Sequence, residues 1–129
     1  MPAESVKDLY PTLIAARPGN IRAFITDAEF FDIGTPRDYF DTCMRFRTKE
    51  PNDSRLAAPD SRLEECIVWD DVQIDPGARL RRCIVTDGVR VPTGLWENVI
   101  IRRADGDVAT NEQRVDDLTI TPIDGTPLR

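Results

Sequence analysis

The chain has 129 residues, 17 of them basic and 23 acidic, giving a net charge of −6 and a pI near 4.6. This balance argues against a nucleic-acid or anionic-membrane partner, because phosphate backbones reward dense Lys and Arg. No run approaches about 18 apolar residues, so no membrane span is expected. No histidine is present, and the three cysteines include no Cys-x-x-Cys pair, so a zinc set is not expected either.

In chain order, the start Met1-Pro-Ala-Glu-Ser-Val-Lys7 lacks the charged and apolar regions of a secretory signal, and a cytoplasmic location is the expectation. Residues 4–16 predict a short helix interrupted or restarted at Pro11, with Val6, Leu9, Leu13 and Ile14 near one face. Pro18-Gly-Asn20 is a turn signal, and residues 21–26 and 29–33 have the composition of strands. A helix follows over 36–46. Thr35 is its N-cap, Pro36 its first residue and Asp38 the partner that completes a capping box. Tyr39, Phe40, Cys43 and Phe46 are its expected buried stripe, and Asp38 and Asp41 are helix-start charges. Two short helices and two strands bury little. Phe24, Phe30, Phe31, Tyr39 and Phe40 therefore need a covering surface, from the rest of the chain or from another domain.

Residues 48–61, rich in Pro, Asn, Asp and Ser, read as a linker. Beyond it a 17-residue spacing repeats. Leu63, Cys66, Ile67, Val68, Asp70, Val72, Ile74 and Gly77 recur as Leu80, Cys83, Ile84, Val85, Asp87, Val89, Val91 and Gly94. Leading aliphatics at steps of five, six and six mark a hexad parallel β-helix of triangular coils, stacked roughly 4.8 Å apart. Hexad helices of this kind are usually left-handed, against the general crossover rule. The expected fold is thus mainly β with a small α+β N-terminal part, and the left-handed parallel β-helix holds about two to three coils over residues 62–101. Glu64 and Glu65 should stack on Arg81 and Arg82, while Asp70 over Asp87 is a like-charge exception at a corner. Cys66 and Cys83 share a rung and are expected as two stacked thiols in the interior. Trp69 and Trp96 are expected on coil faces, marking packing or oligomer surfaces. Residues 102–129 are expected to cap the open end of the coils.

Phe31-Asp-Ile-Gly-Thr-Pro-Arg-Asp-Tyr39 closely resembles the Asp-Ile-Gly-Thr-Pro-x-Asp-Tyr segment of sugar-1-phosphate nucleotidyltransferases. A Tyr-Pro-x-Leu helix precedes it and hexad coils follow, the order seen in that family. The coils look most like those of the mannose-1-phosphate guanylyltransferase group. The resemblance implies that residues 1–47 are the terminal segment of a Rossmann-like nucleotidyltransferase domain. It also implies that Asp32 is one of two Mg²⁺ ligands in the complete enzyme. The Gly-rich loop that would hold the phosphates is missing from the sequence, so no catalytic or nucleotide-binding residue is assigned. The chain is read as the C-terminal portion of such an enzyme, inactive alone and serving assembly or regulation. Nucleotide and sugar 1-phosphate become ligands only when the nucleotide-binding domain is supplied.

A free-standing β-helix scaffold without catalysis is the alternative. Acyltransferases on hexad β-helices are expected to use a His base, and hexad carbonic anhydrases three His on zinc; neither chemistry has its residues here. With so few coils and so many orphaned aromatics, a homo-oligomer, most simply a dimer, is expected.

Overall fold

The computed structural model describes residues 4–47 and 58–126, so positions 48–57 of the expected linker lie outside the described residues. The chain divides into two compact units, one ending at Phe30 and the other beginning at Phe31. No helix among the described residues is long and apolar enough to cross a membrane.

In the first unit a π-helical turn, Ser5–Leu9, leads into α1, Tyr10–Ala16. Pro11 is the reason for the join. It has no N–H to give the preceding turn, and the chain adopts a wider turn there, with the Leu9 N–H reaching the Glu4 carbonyl at 3.3 Å. The strands expected over 21–26 and 29–33 do not form. A strand exists by pairing, and these residues pair with no described strand. Phe24 and Ile25 are each 90% exposed.

The second unit starts with α2, Pro36–Phe46. Its capping box is as the residues predict: the Asp38 N–H donates to Thr35 Oγ1 (3.1 Å), and the Thr35 N–H donates to Asp38 Oδ2 (3.0 Å). Thr35→Ala should cost about 1 kcal/mol, read as a lower melting temperature for the unit. Phe40 is fully buried. Phe46, expected in the same stripe, is exposed instead; its ring meets that of Phe31 edge-on, with centroids 5.0 Å apart.

The coils follow in three sheets. Strands β1 (Arg62–Glu64), β4 (Arg79–Arg81) and β7 (Leu95–Glu97) make the first, and β3 (Gln73–Ile74) and β6 (Arg90–Val91) another. Parallel β2 (Ile67–Val68), β5 (Ile84–Val85) and β8 (Val99–Arg103) begin the third. The register is the one the repeat predicts, with Leu63 on Leu80, Ile67 on Ile84 and Ile74 on Val91. The second coil is one residue shorter than the first. Leu80 pairs with Trp96 and Val85 with Ile101, because the turn Asp75–Ala78 of one coil is replaced by Pro92–Gly94 in the next.

Trp96 therefore points inward along the Leu63–Leu80 rung instead of lying on an outer face. It packs against the core, and its Nε1–H donates to the Pro92 carbonyl at 3.1 Å. Corner residues Glu65, Arg82 and Asn98 all hold φ between 50° and 55°. The same left-handed corner thus recurs in each coil without a glycine.

Cys66 and Cys83 are free and buried as expected, each thiol within reach of the carbonyl two residues earlier. The hydrogen bond to Cys66, with burial, pushes the Cys83 thiol far up, so it stays protonated and is no nucleophile. Arg82 does meet Glu65 (3.7 Å), but Arg81 pairs with Glu97 (3.0 Å) and Glu64 with Arg62 (2.8 Å). The Asp70–Asp87 repulsion is relieved by geometry: the Asp70 N–H donates to Asp87 Oδ1 at 3.1 Å.

After β8 the chain reverses. β9 (Gln113–Val115) and β10 (Leu118–Pro122) form an antiparallel hairpin, and β10 pairs antiparallel with β8. Leu118 and Ile120 join the core that Val85, Val91, Val99 and Ile101 build. Glu112 ties the preceding loop down. Its carboxylate accepts from the Ala109 N–H (2.9 Å), Arg102 Nη2 (3.1 Å) and Thr121 Oγ1 (3.0 Å). The Ala109 N–H first, then Arg102, lower the Glu112 pKa below its usual 4.5. A lowered carboxylate contributes stability above its unfolded pKa and loses it as pH falls through the folded value. Glu112→Gln should cost about 1 kcal/mol at neutral pH. That difference from the parent should shrink in melts as pH falls below the usual carboxylate range and through the lowered folded value.

Candidate functional site

The segment that carries Asp32 is pinned at both ends. Upstream, Phe31 rests on Phe46, with the Arg45 guanidinium 5.2 Å from its ring centre. Downstream, the capping box fixes Thr35 against α2. Asp32 and Ile33 bridge the two and are exposed. Gly34 is not in the left-handed region; an added Cβ there would come no nearer than 4.0 Å to Asp38 Oδ2. The turn is therefore set by the Thr35–Asp38 box and not by glycine freedom, and no strand end holds Asp32.

Asp38 and Asp41 do not converge on Asp32. Asp38 is taken up by the cap, whose Thr35 Oγ1 also donates to it at 2.7 Å. Asp41 faces Arg37 and Arg82, each at 3.7 Å. Among the described residues no group of three or more His, Cys, Asp or Glu could hold a metal ion. Asp32 thus belongs to no such group among the described residues.

What the fold does assemble is a surface around Trp69, which is 43% exposed. The Cys-Ile-Val runs place Ile67 and Ile84 on the outer side of β2 and β5, and Val68 and Val85 on the inner side. α2 covers part of the outer side through Phe40, which packs with Ile84 and Ile123, while Arg82 lies over its ring at 4.7 Å. The uncovered part is an apolar groove of about 360 Å³ between the Ile33–Pro36 turn and Ile84, Thr86 and Ile100. Trp69 forms its wall, donating from Nε1 to the Tyr39 hydroxyl at 3.3 Å. Burial raises the Tyr39 pKa, so this hydroxyl stays protonated. The groove was not legible in sequence, since it joins residues from the turn, α2, strands β5 and β8, and the positions just after β2 and β5.

Residues 53–101 match the family model described as GlmU-like, C-terminal hexapeptide. Searches of curated proteins and of solved structures returned no significant match. The matched stretch contains every parallel strand of the three sheets except the end of β8. The parallel coils of this chain are a hexapeptide-repeat β-helix, similar to the C-terminal hexapeptide domain of the GlmU-like proteins.

Proposed function

We propose that the chain is the C-terminal portion of a sugar-1-phosphate nucleotidyltransferase, of the GDP-mannose-forming type, whose coils serve assembly or regulation. The observation that carries this reading is the docking of an Asp-Ile-Gly-Thr-Pro turn and its capped helix onto hexapeptide coils, through Phe40, Ile84 and Ile123. A GlmU-like hexapeptide segment is in keeping with a nucleotidyltransferase or acyltransferase relative. The acyltransferase branch is disfavoured, because the chain has no histidine to act as the expected base.

In a complete enzyme Asp32 would be one of the carboxylates that hold Mg²⁺, a cation that binds through one or two carboxylates and phosphate oxygens and would supply charge neutralisation there. Within this chain the contribution of Asp32 is positional: a carboxylate on an exposed bridge, braced by Phe31–Phe46 on one side and the cap on the other. Hexapeptide-repeat domains typically form trimers, which favours an oligomer here as well.

Incubated alone with nucleoside triphosphate, mannose 1-phosphate and Mg²⁺, the chain should release no pyrophosphate. An upstream reading frame encoding a Gly-rich nucleotide-binding domain is the expected genomic context. Adding that domain should produce turnover, and Asp32→Asn should then lower it at least about 10-fold. Turnover by the 129-residue chain alone, or a two-part enzyme indifferent to Asp32→Asn, defeats the reading.

A further inference from the structure

Asparagine never precedes glycine in this chain, but aspartate does so at Asp87-Gly88, Asp105-Gly106 and Asp124-Gly125. An Asp-Gly step carries its own electrophile and its own nucleophile. The side-chain carboxyl stands next to the following amide nitrogen, and glycine has no Cβ to shield that nitrogen. All three glycines are in the left-handed region, with φ of +65°, +68° and +74°. Local backbone shape therefore does not separate the three steps, and their surroundings do.

Two of the steps are held. Asp87 Oδ1 accepts from the Asp70 N–H at 3.1 Å, and the Gly88 N–H donates to the Asp70 carbonyl at 3.0 Å. Both reacting groups of that step are thus bound to the preceding coil. After β10, the Asp124 carboxylate accepts from the Thr126 N–H at 3.1 Å and from Asn98 Nδ2 at 3.0 Å. The Gly125 N–H reaches the Pro122 carbonyl at 3.4 Å. The bond from the Thr126 N–H is the largest of the effects that hold the Asp124 carboxyl below its usual range. An ionised carboxylate is a poor electrophile.

Asp105-Gly106 differs on each count. It lies in the loop between β8 and β9, outside any strand. The Asp105 side chain is 82% exposed, and its carboxylate meets only Arg102, which is shared with Glu112. An ion pair so exposed holds a side chain weakly. The Gly106 N–H has no hydrogen-bond acceptor among the described residues. A Cβ built on Gly106 would meet nothing within 4 Å, so nothing packs over the reacting nitrogen's own residue.

We propose that Asp105-Gly106 is a self-modification site, where aspartate converts to isoaspartate through a cyclic imide, while the fold protects the other two steps. The Gly106 nitrogen attacks Cγ of the Asp105 carboxyl. The N–Cγ bond forms, the Cγ–O bond breaks, and the carboxyl hydroxyl leaves with the amide proton as water. A second water then opens the ring. Attack at Cγ restores aspartate, and attack at the main-chain carbonyl carbon leaves the chain running through Cγ with the α-carboxylate free. One water is lost and one is gained, so mass and net charge are unchanged and no other reactant is needed. The inference stands apart from the nucleotidyltransferase reading, since it uses neither Asp32 nor a nucleotide.

Incubating the whole chain for weeks at neutral pH, then mapping its peptides by fragmentation that separates isoaspartate from aspartate, tests it. Isoaspartate at 105 should accumulate at least about 10-fold faster than at 87 or 124, whose hydrogen bonds must open first. In denaturant the three rates should converge, because only the fold distinguishes the steps. Asp105→Glu should remove the product from this step in the native chain, since the longer side chain closes its ring poorly. Absence of isoaspartate at 105, or native rates at 87 or 124 that match it, overturns the proposal. The same ratio of rates in the native and denatured chain overturns it equally, because the site would then owe nothing to the structure.

Discussion

Replacing Phe40 by alanine is expected to cost about 3–5 kcal/mol and to release α2 from the coils. The ring is fully buried between Ile84 and Ile123, and the Arg82 guanidinium 4.7 Å from its centre adds a cation–π contact. The helix is only 11 residues long, below the length at which helices hold in water by themselves. Its capping box cannot compensate for losing its one fully buried side chain. Hydrogen exchange should show the amides of 36–46 losing protection, while those of β4 to β8 keep most of theirs. If the helix amides stay protected in Phe40→Ala, the docking of α2 rests on other contacts.

Ile101→Ala should act on the other side of the same sheet, costing about 3 kcal/mol and lowering the melting temperature by roughly 10 °C. Ile101 is fully buried at the junction where parallel stacking ends: it follows Val68 and Val85 on one side and faces Ile120 of the antiparallel hairpin on the other. Its loss opens a cavity between the last coil and its cap. Hydrogen exchange should therefore report the largest change in β8 and β10. A conservative Ile101→Val should cost about 1 kcal/mol, and a flat response to both would mean that the hairpin does not complete the core.

Much of this architecture can be read from residues because its rules are local or strictly periodic. The α2 cap depends on Thr35, Pro36 and Asp38, which lie within one turn. The rungs Leu63–Leu80, Ile67–Ile84 and Ile74–Val91 depend on a fixed spacing, which parallel stacking converts directly into register. The stacked thiols of Cys66 and Cys83 follow from the same rule. Charge pairing is less legible: Arg81 has carboxylates on either side, and which one a long side chain takes is a matter of geometry and not of register.

The residues by themselves determine that there are coils, which aliphatics lie over which, and where α2 begins. Tertiary structure alone decides the rest. A turn shortened by one residue at Pro92–Gly94 carries Trp96 from an outer face to the inner rung, because a one-residue slip exchanges the two sides of a strand. Residues 21–26 and 29–33 have strand composition yet make no strand, because a strand is made by backbone pairing and composition does not supply the partner. The groove beside Trp69 exists because α2 covers only part of the outer face of β2, β5 and β8. How far a helix extends over a sheet is set by packing between distant segments, and no spacing within either one encodes it.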